Sequence, residues 1–433
     1  MHRIEQGAGF QQKVETRDGV LPIKRSRAEV HMRMMGLLLL VAFLALIALV
    51  ATSPPRFLYD EPYFANYISL LHRYGVTPTF LNSLPAAPGP LCAFTQVVLE
   101  PLTQLQPVRM RFVNVLLLVM VAGMLAVWLR QQNCSDYVVA ACSVLVAPMT
   151  WALAGMALSE MSAMMFVTLS LYLQLRGLTA LERGRRVLGW FLASGISLGI
   201  AVWGRQPYLL LSGVPVLLAL LERRLRMPAL IHVGVVMAFA VPLFIIWKGL
   251  VPPSNQWQQG GLLLTHGLIS LGYTGICFLL LAPRLRWLPA KVLIGLVVLT
   301  AAANASLGTF AVYLVRSVVD RYLPAPAVFA YGKLCGSLFL SCGVAFLVLL
   351  LRFIWEGRQD LKLITCNAGL LCVAISPMFV PHRWSTRYAA MSLPYLILSA
   401  QPWREWRLKT VMTAVAGCGV GFLSMFEYFS YSR

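Results

Sequence analysis

Residues 35–64 read MGLLLLVAFLALIALVATSPPRFLYDEPYF. The first part carries no charge and is long enough to cross about 30 Å of hydrocarbon as a helix. Ser53-Pro54-Pro55 ends it, because proline has no N–H to continue the backbone ladder. The stretch therefore predicts a membrane helix over about 35–53, followed at once by two adjacent carboxylates, Asp60 and Glu61, at the membrane edge.

Similar apolar windows recur at about 110–129, 137–153, 157–175, 187–203, 207–221, 228–249, 262–282, 290–312, 334–352, 362–380, 388–400 and 410–428. The expected fold is an all-α integral membrane protein with about 13 transmembrane helices (12–14). The 433-residue chain is 59% hydrophobic and 12% charged, with a mean hydropathy of +0.73. That leaves too little polar surface to cover soluble domains, and the short alternating segments of a membrane barrel are missing from the pattern.

The net charge of +20 does not indicate a nucleic-acid partner. Lys and Arg stand in short clusters between apolar windows, as positive-inside topology requires. Residues 1–34 read as a basic cytoplasmic tail, holding the N-terminus inside, and 35–433 as one transmembrane domain. Most of the nine Cys, including Cys142, Cys277 and Cys418, fall inside apolar windows and act as small hydrophobes, so no disulfide framework is read.

Residues 54–108 form the first outer loop. Pro62–Tyr74 places Tyr63, Tyr67 and Leu71 on one helical face with Phe64 and Ile68 beside them, which predicts an amphipathic interfacial helix stopped by Gly75. Leu91–Leu105 reads as a second interfacial helix, interrupted by Glu100-Pro101.

Alternating the helices from an inside N-terminus places Asp60, Glu61, Glu160, Arg205, Lys248, His266, Asp320, Arg316, Arg321, His382, Arg383 and Arg387 near the outer helix ends. Charges near hydrocarbon are costly, so each needs a partner or a function. In Asp60-Glu61-Pro62 one carboxylate fits the N-cap of the following helix. The second is left over as a base that can take a proton from an acceptor hydroxyl or amine. Glu160 fits a cap with Ser159 or a substrate contact.

Arg205, and the pair Arg383 and Arg387 with His382 beside it, present donors suited to a phosphate, or to lipid headgroups and neighbouring carboxylates. Trp257, in an amide-rich loop, and His266 are possible substrate contacts. No second His or Cys stands at ligand spacing from His266 or His382, so no metal site is read and no cofactor is required.

These features together resemble the C-type membrane glycosyltransferases: Asp60-Glu61 opening the loop after the first helix, two interfacial helices, many spans, and an Arg/His cluster before a late Arg387-Tyr388 helix. Locally, Asp60-Glu61, Pro88-Gly89-Pro90-Leu91, Arg205-Gln206-Pro207 and Ser385-Thr386-Arg387-Tyr388 are similar to motifs of the dolichyl-phosphoglucose-dependent glucosyltransferases of N-glycan precursor assembly. Pro207 stands where those enzymes have Thr, and the His of their late motif is displaced to His382.

The resemblance implies Asp60 as catalytic base and Glu61 as supporting acid, with Arg205 and Arg387 on the phosphate of a polyprenyl-phosphate sugar donor. It further implies a glycan, lipid or protein acceptor, membrane lipids as surroundings, and an active face outside the cytoplasmic membrane. O-antigen ligases and polysaccharide polymerases are the nearest alternative, but their large outer loop comes late. A transporter or lipid flippase would favour internal repeats and mid-helix charges.

Overall fold

The computed structural model describes residues 22–259, 261–283, 289–307, 311, 322–380, 385–402 and 406–430. Every regular element among these residues is helical. Eight helices are long and apolar enough to cross a membrane, or nine if one bent pair counts as a span. The chain is a multi-pass membrane protein.

The first helix runs Pro22–Ala51, so it begins inside the stretch expected to be a tail. Proline suits a first helical turn, and Lys and Arg are good helix formers, so the basic segment extends the helix instead of interrupting it.

Fewer described helices reach spanning length than there are apolar windows, for identifiable reasons. The 137–153 window folds as Tyr137–Val146 and Met149–Gly155, bent by 90° around Pro148. Carbonyls freed by the bend are satisfied locally: Thr150 Oγ1 donates to Val144 O (2.7 Å) and Trp151 Nε1 to Leu145 O (3.0 Å). Leu188–Gly204, Gln206–Leu221 and Ile294–Asn304 are apolar but shorter than a span. The 388–400 window is split into Thr386–Ala390 and Leu393–Ala400, and its apolar side chains from Ala389 onward are buried within the bundle. Apolar composition suits a protein interior as well as a lipid-facing span, and hydropathy cannot separate the two.

Small residues bring helices close, as they do where lipid offers no hydrophobic drive to associate. Leu188–Gly204 lies between Glu160–Glu182 and Arg226–Trp247. Ser170 and Ser194 each donate to the other's backbone carbonyl across the first of these contacts, at 3.0 and 2.9 Å. Gly272 and Gly343 let Leu264–Leu281 and Ala325–Glu356 cross backbone to backbone: a Cβ on either would overlap a carbonyl of the other helix.

Within residues 54–108 the helix is Glu61–Tyr74, and its buried face is Glu61, Phe64, Tyr67 and Ile68. Tyr63 points outward instead of joining the Tyr67 side. Gly75 ends the helix with φ +61°, which its missing Cβ permits. The second expected helix is Leu91–Val98 and Glu100–Thr103, broken just before Glu100-Pro101. Side-chain bonds pin the segment to the bundle: Trp247 Nε1 to Leu81 O (2.9 Å), Ser254 Oγ to Leu84 O (2.7 Å) and Gln206 Nε2 to Ala87 O (2.9 Å). Tyr67 adds a shared hydroxyl bond to Ala86 O and Pro88 O, both at 2.7 Å.

Candidate active site

Glu61 and Asp60 are neighbours in sequence with opposite surroundings. Glu61 is fully buried and accepts four bonds: Arg111 Nε (2.9 Å) and Nη2 (2.7 Å), and the backbone N–H groups of Leu58 and Ala157 (both 2.8 Å). Arg111 is buried with it and directs its remaining donors to Ser53 Oγ, Pro54 O and Arg56 O, each at 2.7 Å. The Phe429 ring lies 5.3 Å from that guanidinium. Two buried charges are tolerable only with their hydrogen bonds met in this way.

Asp60 occupies the N-cap position of Glu61–Tyr74, but its side chain makes no capping bond. The expectation that one carboxylate of the pair caps this helix is corrected: Glu61 turns back to Leu58 N–H, and Asp60 turns away. Tyr59, just before Asp60, has φ +50°, a left-handed conformation that costs a non-glycine residue roughly 1–2 kcal/mol. That turn aims Asp60, whose side chain is 41% exposed, at Arg387 Nη2, 2.6 Å away.

Arg387 comes from the five-residue helix Thr386–Ala390, whose N-cap Ser385 accepts from the Arg387 N–H at 3.4 Å. Its Nη1 lies 3.9 Å from Oε1 of Glu160, and the same oxygen is in close contact with Arg205 Nη2. Glu160 begins the Glu160–Glu182 helix, and Ser159 makes no side-chain cap there, so the expected Ser159 cap is absent. Arg205 follows the end of Leu188–Gly204 in extended backbone. Asp60, Arg387, Glu160 and Arg205 thus form one continuous chain of alternating charge, drawn from four separated parts of the sequence. Glu160 Oε2, Arg205 Nε and Ser159 Oγ are buried there with no hydrogen-bond partner among the described residues.

Burial works against the charge of Arg387, but Glu160 and Asp60 outweigh it and raise the group above its ordinary value, so it stays cationic. Burial also raises Tyr388, with Arg205 and Arg387 pulling the other way, so the phenol keeps its proton. Cys92 is buried near Glu160, and burial pushes its thiol up to about 12. It is held as a thiol, not a nucleophile.

His266 is mostly buried at the start of Leu264–Leu281, with Nδ1 2.9 Å from Val380 O. Trp257 is exposed on the short 3₁₀ helix Pro253–Gln258. His382 and Arg383 lie outside the described residues, as do Arg316, Asp320 and Arg321. Among the described residues no three His, Cys, Asp or Glu side chains gather as a metal set.

Arg111 is absent from the charged residues singled out in the sequence, although a signal exists. Arg109 and Arg111, two positions apart, must point to different faces of a helix. Arg109 reaches the exposed Gln104 (2.8 Å), which leaves Arg111 facing inward.

No protein-family model matches the chain, and no curated protein matches it. Among solved structures it is similar to ArnT from Cupriavidus metallidurans in the apo state, with a TM-score of 0.40 and 16% identity over 88% of this chain and 76% of that one. The same protein bound to undecaprenyl phosphate gives a TM-score of 0.40 and 17% identity, over 89% and 77%.

Proposed function

We propose that this protein is a membrane glycosyltransferase of the C type that moves a sugar from a polyprenyl-phosphate donor to an acceptor outside the cytoplasmic membrane. The observation that carries the reading is the Asp60–Arg387–Glu160–Arg205 chain: an accessible carboxylate in direct contact with a guanidinium, with a second guanidinium one carboxylate further on.

In the proposed reaction Asp60 takes the proton from the acceptor hydroxyl or amine. The acceptor atom bonds to the anomeric carbon from the face opposite the phosphate, the carbon–oxygen bond to phosphate breaks, and configuration inverts. The leaving polyprenyl phosphate carries the released electron pair, and Arg387, Arg205 and Arg383 with His382 stabilise it. Glu61 supports the loop that presents Asp60. Glu160 holds the arginines in place, and Trp257 and His266 belong to the acceptor side.

An inside N-terminus, as the basic residues leading into the first span favour, followed by that one span would put Asp60 and this end of the bundle on the outer face of the inner membrane. The local resemblance to dolichyl-phosphoglucose-dependent enzymes makes polyprenyl-phosphate hexoses the first donors to assay.

The test is sugar transfer in membranes carrying the wild-type protein or Asp60→Asn. Transfer that depends on the added protein and disappears with the substitution supports the reading. A variant that transfers at the wild-type rate sinks Asp60 as base. Solute movement across proteoliposomes without glycosidic chemistry would replace the enzyme by a transporter.

A further inference from the structure

The Pro107–Gln131 helix holds both segments from which the site carboxylates project. Arg111 takes the Asp60 side, through Glu61 and the carbonyls of Pro54 and Arg56. Asn114, three residues on and therefore on the same helix face, takes the Glu160 side. Its buried Nδ2 donates to Met156 O (2.5 Å), Leu158 O (3.0 Å) and Leu153 O (3.3 Å), the backbone that leads directly into Ser159-Glu160. Glu61 joins the two halves, because its Oε1 accepts from both Arg111 Nε and the Ala157 N–H.

We infer that Arg111 and Asn114, bridged by Glu61, are positioning residues that fix the separation of Asp60 from Glu160, and so the distance between the base and the phosphate-holding arginines. The inference rests on the glycosyl-transfer reading of the site. Three features tie the bracket to the site. Every donor of Arg111 is committed to the loop around Asp60. Two of the three bonds of Asn114 fall on the irregular connection that enters Glu160, and the third on the end of the helix before it. The left-handed Tyr59 is enclosed by the turn that Glu61 closes with Leu58, from Leu58 N–H to Oε2 (2.8 Å) and from Glu61 N–H to Leu58 O (2.9 Å). A small displacement of reacting groups is costly even when nothing else changes, on the order of a hundredfold in rate for about 1 Å.

The experiment compares the purified full chain with Glu61→Leu/Arg111→Met, which removes both buried charges together, and with the milder Asn114→Ala. Each is assayed for transfer from a polyprenyl-phosphate hexose and for amide hydrogen exchange. The expected result for the double variant is a kcat lower by about 100-fold, with donor KM within about threefold of wild type. Exchange over 57–61 and 155–160 should be faster by about 10-fold or more, while other helices keep their protection. Asn114→Ala should shift the same readouts in the same direction by about 10-fold, and carries the test alone if the double variant does not fold.

Wild-type kcat alongside faster exchange would make the bracket merely structural and overturn the inference. Unchanged exchange would overturn it as well. If the unaltered protein transfers no sugar, the glycosyltransferase reading falls and the inference falls with it; if the wild type transfers sugar and the variants keep its kcat, the inference alone is overturned.

Discussion

Asp60 and Glu61 share a charge and differ by one methylene, yet the fold treats them as opposites. Glu61, with Arg111, forms an ion pair with neither partner exposed and no lone pair or donor unused. Asp60, with Arg387, forms one that is partly open, and the guanidinium is contested by a second carboxylate at 3.9 Å. A saturated buried pair has little left to offer a ligand. An open pair beside unpartnered polar atoms can exchange one partner for a substrate phosphate. Composition treats the two residues alike, and the difference lies in how many elements converge on each.

Substitution can break this comparison at several points. The largest expected effect is on transfer by Asp60→Asn, which should fall by about 100- to 10,000-fold, the range for losing a general base. Unfolding free energy should change by less than about 1 kcal/mol, since the lost ion pair is partly exposed. A Glu61→Gln variant should differ from it in thermal or denaturant unfolding, losing about 3–5 kcal/mol because Arg111 is left buried without a counter-charge. Equal behaviour of the two substitutions in both assays would end the distinction.

Smaller effects sharpen it. Arg387→Lys keeps the charge and loses the planar fork, and should raise donor KM by about tenfold, or about 1.4 kcal/mol, with little change in stability. Arg387 remains cationic in the folded protein well beyond any assay pH, so this effect should be flat across neutral and mildly alkaline buffers. Cys92, whose thiol is pushed up to about 12, should resist alkylation in the folded protein at pH 8 and react once it is denatured. The smallest effect should come from Tyr67→Phe, which loses a hydroxyl shared by two carbonyls and should cost about 0.5–1.5 kcal/mol in local exchange protection at Gly89, whose N–H donates to Gly204 O.

Much of this was legible in the residues. The Pro54-Pro55 stop, the Gly75 end and the break before Glu100-Pro101 are local backbone chemistry, and each appears where the sequence places it. Asp60, Glu160, Arg205 and Arg387 stood out because charges are rare beside apolar runs. Their pairing did not, since they are spread over more than 300 residues and no local rule links them. Arg111 was missed because a basic residue at the start of a membrane helix is normally a flank marker.

The sequence by itself determined the membrane class, the helical content and the placement of Asp60 after the first span, because hydrophobic length and proline chemistry act over a few neighbouring residues. Tertiary structure decided which carboxylate is open, which arginine is committed, and which apolar windows are interior instead of lipid-facing. Those outcomes depend on desolvation and hydrogen-bond partners supplied by distant helices: Ala157 for Glu61, Arg387 for Asp60. The same carboxylate chemistry is buried and saturated in one position and open in the next.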